Sequence, residues 1–153
     1  MDDEDDFPLK HKKWLEDVSH GLQGGKIEHR SLQGLKVLIA QKGYIQCSFV
    51  AHKLVSDHDG NWHPGAMATL IDDVGAAAIG SSVGRIRLSV NFDISYFSMV
   101  KIKEEVVIDA KIVSNKGKLS SVLVEIRKKD SGEIVARGKQ WMYSAFDLRA
   151  SKL

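Results

Sequence analysis

Cysteine is almost absent from this chain, and long apolar runs are absent altogether. The single thiol, Cys47, rules out an internal disulfide and any multi-cysteine metal site, a usage that suits a reducing compartment. It lies in an alternating segment, where a lone cysteine behaves as a small buried hydrophobe. The longest unbroken run of apolar and glycine residues is Val74 to Gly80, far below the ~18 residues that argue a membrane span. The N-terminus is acidic, opposite to the basic start of a secretory signal peptide. These absences predict a soluble chain with no membrane insertion and no export by that route. No metal-binding pattern stands out, and Gly117-Lys118-Leu119-Ser120 lacks the full spacing of a phosphate-binding loop. Basic residues are spread along the chain rather than clustered with aromatics, which argues against nucleic acid as a partner.

What is present fits one globular domain: 153 residues, 43% hydrophobic and 27% charged. The formal charge of +2 conceals an asymmetry. Asp2, Asp3, Glu4, Asp5 and Asp6 hold five of the 20 acids, so 15 acids face 22 lysines and arginines in the remainder, a formal +7. Residues 1–8, ending in Pro8, read as a disordered acidic lead to a single domain over 9–146. The final Ser151-Lys152-Leu153 reads as a peroxisomal address, to be taken by an import receptor. The polar tail over 147–153 predicts that it is exposed; a cytoplasmic location is the alternative.

Leu9, Trp14, Leu15, Val18 and Leu22 recur at helical spacing, predicting an amphipathic helix over 9–22 stopped by Gly24-Gly25. From Leu35 the period becomes two. Strands are predicted at about 34–40 and at 44–55, joined through Gln41-Lys42-Gly43. Strand-like runs follow at 87–97, around 106–112, around 122–126 and at 134–143, with turns at Asn115-Lys116-Gly117 and Asp130-Ser131-Gly132. Between the two groups lies Pro64 to Gly80, small and apolar nearly all round, the composition of a helix buried on several sides. The order predicts an α+β fold in which an antiparallel β-sheet wraps a central α-helix.

Two features of that helix carry chemistry. Asp72 and Asp73 stand among alanine, leucine, isoleucine and valine, where an unpartnered carboxylate is costly. Either each pairs with a group outside the helix, or one of them does chemistry. At the helix start, Pro64 suits the first position, His63 is the N-cap and Trp62 can pack on Met67. Histidine is a poor cap, so the N–H groups of Gly65 and Ala66 are expected to lack a side-chain partner. Free donors there suit an oxyanion; water is the alternative partner.

The stretch Asp59-Gly60-Asn61-Trp62-His63-Pro64-Gly65-Ala66-Met67-Ala68-Thr69-Leu70-Ile71-Asp72, with Leu88-Ser89-Val90-Asn91-Phe92-Asp93-Ile94-Ser95-Tyr96 downstream, resembles the hotdog-fold acyl-CoA thioesterases of the PaaI-like, acyl-CoA thioesterase 13-like group. The likeness covers about residues 30–145. It implies a hotdog fold, acyl-CoA as substrate, no cofactor, and a homodimer or dimer of dimers. By the same likeness, the amide after His63 polarises the thioester carbonyl, and Asp72 acts as general base or nucleophile. Ser89 matches the serine beside the acyl group, and Tyr96, Lys101, Lys116, Gly117 and Lys118 match the region that takes the CoA moiety.

Eight or nine helical residues span ~12–13 Å and turn by roughly 80–180°, so one chain cannot bring its own helix start and its own Asp72 to one carbonyl. The implied site therefore combines two protomers. Two departures from the pattern bear on rate. Pro64 stands where the motif has its first glycine and has no N–H, which leaves Gly65 as the nearest donor. Asp57 stands where relatives carry an amide that helps hold the carbonyl or the water, a role open to Asn61. A non-catalytic or weakly active acyl-CoA binding protein is thus the second reading.

Overall fold

The computed structural model describes residues 4–85 and 88–143. Helices α1 (Phe7–Ser19) and α2 (Lys26–Leu32) precede the hairpin of β1 (Lys36–Gln41) and β2 (Tyr44–Val50). The long helix α3 (Pro64–Val83) follows, then β3 (Leu88–Tyr96), β4 (Glu105–Lys116), β5 (Leu119–Lys128) and β6 (Ile134–Tyr143). All neighbouring strands run antiparallel in one six-stranded sheet ordered β1-β2-β4-β5-β6-β3.

The sheet curls round α3, as the small, all-round apolar composition of that helix predicts. Its residues Leu70, Ile71, Val74, Ala77, Ala78 and Ile79 are fully buried against Ile45, Cys47, Val106, Ile108, Ala110, Val122, Val124 and Ile126. Close approach depends on two residues without side chains. A Cβ on Gly138 of β6 would lie 2.6 Å from Ile71, and one on Gly75 would lie 3.1–3.3 Å from Gln140, Val122 and Val124. The helix ends at Gly84, whose φ of 83° gives the left-handed cap and lets its N–H reach the Gly80 carbonyl at 2.8 Å.

Three expectations change at the edges. Disorder was expected through Pro8, yet residues 4–6 form a 3₁₀ turn and α1 starts at Phe7. The reason is packing: Phe7 lies over Gly84 and His11 over Gly80, in space that only glycine leaves open. The second strand stops at Val50 rather than 55, because residues 53–55 form a 3₁₀ turn that carries the chain from the sheet to the start of α3. Helix α2 is unforeseen: it has seven residues, only Ser31 and Leu32 of them buried, too few to show a period. Residues 1–3 and the tail 147–153, with Ser151-Lys152-Leu153, lie outside the described residues.

Candidate active site

Two polar clusters flank α3, one at its start and one two turns on. At the start, His63 is extended and donates its backbone N–H to the Val55 carbonyl at 2.8 Å. Its Nδ1 accepts the Gly65 N–H at 2.9 Å, and its carbonyl accepts the Met67 N–H at 3.0 Å. This corrects the expectation of an uncapped helix: the imidazole folds back on its own helix and occupies Gly65. Ala66 is then the early N–H that takes no partner among the described residues.

The loop before the helix is stitched by Asp57, whose Oδ1 accepts the N–H groups of Asn61 and Asp59, both at 2.9 Å. Those donors, Asn61 first, hold its carboxyl below the usual aspartate value. Asp57, Asn61, Trp62, Pro64, Met67 and Tyr96 line one cavity of about 290 Å³. In its lining, Tyr96 donates its hydroxyl to the Pro64 carbonyl at 3.0 Å, and Lys101 sits beside it through a bridge to Asn61. Asn61 directs its amide at Met99 Sδ, 3.6 Å away, rather than at the carbonyl of Pro64 or the N–H of Gly65.

The second cluster comprises Asp72, Ser89 and Gln140. Asp72 Oδ1 accepts from Gln140 Nε2 at 2.5 Å and from Ser89 Oγ at 3.3 Å, and Gln140 Nε2 also reaches Ser89 Oγ at 2.6 Å. Gln140 is fully buried and was missed in the sequence. The available signal was a polar residue on the inward row of β6, in step with Ala136, Gly138 and Met142. Asp72 and Pro64 are eight helical residues apart, ~12 Å along the axis, so one chain holds the two clusters separately. The Lys116-Gly117-Lys118 turn lies at the Ser89 end of the sheet, because Leu119 and Leu88 both pair with Tyr143, whereas Tyr96 lies at the other end beside Ala136. The residues matched to CoA therefore form two groups within a protomer.

A family model for the thioesterase superfamily matches residues 59–135, the segment that carries the helix start, Asp72 and Ser89. The chain belongs to the thioesterase superfamily. Human acyl-coenzyme A thioesterase 13 is 25% identical over 126 residues, 82% of this chain and 90% of that one. The mouse protein of the same name is 29% identical over 111 residues, 72% of this chain and 79% of its own. Among solved structures, zebra fish thioesterase superfamily member 2 superposes with a TM-score of 0.82 at 25% identity, over 90% of this chain and 98% of that one. A hypothetical thioesterase of Streptococcus pneumoniae TIGR4, crystallised with coenzyme A, shares the fold at a TM-score of 0.69 and 18% identity, over 72% of this chain and 88% of its own.

In this thioesterase-superfamily chain the two neighbouring acids have different fates. Asp72 is partly exposed and hydrogen-bonded, whereas Asp73 is 4% exposed and its Oδ2 has no partner among the described residues. Burial first, then the charges of Glu28 and Asp72, push the Asp73 carboxyl up to about 8 from an ordinary 3.8. Between these values the folded state keeps a proton that the unfolded chain has lost, so stability falls as pH rises and the loss is complete above about 8. Asp73→Asn removes that loss. Thermal unfolding of the variant is expected to show a gain of about 1–3 kcal/mol near pH 8 that shrinks toward pH 4. An equal offset at both pH values would refute the assignment.

Proposed function

We propose that this chain is an acyl-CoA thioesterase whose site is shared between two protomers. The observation that carries the reading is the Asp72–Ser89–Gln140 cluster on the helix of a thioesterase-superfamily fold: a partly exposed carboxylate oriented by two donors. Acting as general base, Asp72 takes a proton from water, and the resulting hydroxide adds to the thioester carbonyl; collapse breaks the C–S bond, releasing the acid and CoA. Acting as nucleophile, its carboxylate adds to the carbonyl, the C–S bond breaks to expel the CoA thiolate, and water then hydrolyses the mixed anhydride to the free acid and the restored carboxylate. The names of the human and mouse relatives support CoA esters as the substrate class.

The edge strand supports the second protomer. β3 ends the sheet and leaves Leu88, Val90, Phe92, Phe97 and Met99 39–73% exposed along it and just beyond, an open edge that proteins normally cover. A two-fold antiparallel pairing of two β3 strands runs the Ser89 end of one strand along the Tyr96 end of the other. Since Tyr96 is bonded to Pro64, the helix start of one chain then meets Asp72 of the other. The helix start is suited to the carbonyl oxygen through Ala66, and through Gly65 once the His63 ring turns away.

The test is CoA release from a panel of acyl-CoA esters, with a Val90→Lys variant alongside. The parent is expected to hydrolyse at least one ester as a dimer or dimer of dimers, and Val90→Lys to sediment as a folded monomer with at least about 10-fold lower activity. Full activity in the monomer would refute the shared site. Pro64, the engaged Gly65 and the Asp57 carboxylate favour a second reading, a protein that binds acyl-CoA with little hydrolysis; binding without CoA release would establish it. We also propose that Ser151-Lys152-Leu153 directs the chain to peroxisomes through the import receptor. Loss of punctate localisation on removing those three residues tests this.

A further inference from the structure

Gln140 has a costly place in the fold. It is fully buried on the inward row of β6, and its Oε1 finds no donor among the described residues. A buried oxygen left without a partner costs stability. The room it occupies depends on Gly75, where a Cβ would stand 3.1 Å from that Oε1. An apolar side chain of the same length would fill the space without this cost, so what the amide supplies must lie at its other end.

That end is saturated. Nε2 is 2.5 Å from Asp72 Oδ1 and 2.6 Å from Ser89 Oγ, and an amide nitrogen carries two hydrogens. A carboxylate offers only acceptors, so the nitrogen rather than the oxygen must face Asp72. Ser89 then accepts from Gln140 and turns its own proton toward Asp72 Oδ1, 3.3 Å away. Oδ1 receives two donors, while Oδ2 takes none among the described residues.

We propose that Gln140 is a positioning residue that clamps Asp72 through Oδ1, so that Oδ2 is the oxygen that meets water or the thioester carbonyl, with Ser89 held as the second clamp. The inference rests on the thioesterase reading above and assigns an orientation within that site.

The experiment uses the full chain, the best ester found in the panel, and Gln140→Met, which keeps length and volume but donates nothing. Gln140→Met is expected to lower kcat about 10–100-fold with KM within about twofold, and with an unfolding midpoint equal to or above the parent's. In an Asp72→Asn background the same change is expected to cost less than about twofold, because the oxygen it orients has lost its role. If Met at this position prevents folding, Gln140→Leu, which likewise donates nothing, carries the same two comparisons. Parental kcat in the single variant, or an equal loss in both backgrounds, overturns the inference. An active parent with an unaffected variant overturns this inference alone; a parent inert toward every ester overturns the hydrolase reading and this inference together.

Discussion

Asp72→Asn is expected to lower kcat by about 10³-fold, equivalent to about 4 kcal/mol of transition-state stabilisation, and to leave KM within a few-fold. Asparagine matches aspartate in size, so the helix and the pocket beside it persist. What disappears is the ability to take a proton from water or to attack a carbonyl, and neither function is needed to bind the ester. Gln140 sharpens the expectation, because its Nε2 donates to Asp72 Oδ1; the new amide must either turn its oxygen to that donor and leave NH₂ toward the substrate, or break the clamp. Steady-state hydrolysis with the preferred ester, alongside direct measurement of ester binding, separates the two parameters. Turnover near that of the parent would remove Asp72 from the chemistry.

Pro64→Gly is expected to act in the opposite direction, raising kcat by about 10–100-fold. Removing one donor from an oxyanion site costs on the order of 10²–10³ in rate, and glycine would supply the N–H that proline lacks. The neighbouring donor cannot serve in its resting position, since the Gly65 N–H is held by His63 Nδ1 at 2.9 Å. Proline presets the backbone at the first turn, so the variant is expected to lose about 0.5–1 kcal/mol of stability. Faster turnover at lower stability would identify Pro64 as a brake on hydrolysis. Unchanged kcat would show that the carbonyl is polarised elsewhere, with Ala66 the next candidate.

The buried centre of this fold was legible because its signals are local and redundant. Pro64 after His63, the alanine and glycine content of α3, and the alternation of Val106, Ile108, Ala110 and of Val122, Val124, Ile126 each predict the state that packing then enforces. What the sequence leaves unmarked depends on contacts between distant segments. Residues 4–8 look disordered until Gly80 and Gly84, some 70 positions later, are seen to make room for His11 and Phe7. The occupation of Gly65 turns on a single side-chain rotamer of His63, which no pattern encodes. Asp72 and Ser89 were readable as a motif, but Gln140 is 68 residues from Asp72 and resembles any polar residue in a strand.

The strand order also has a consequence for how the molecule comes into being. β3 is made directly after the central helix, yet among the described residues its one partner strand is β6, which ends at Tyr143. During synthesis β3 emerges with no neighbour to hold it, and it can join the sheet only when nearly the whole described chain has left the ribosome. The proposed pairing through that strand is thus deferred to the end of translation. Each chain must complete its own sheet before it can offer an edge to another, and a nascent fragment that stops before β6 exposes Val90 and Phe92 without any geometry to direct what they meet.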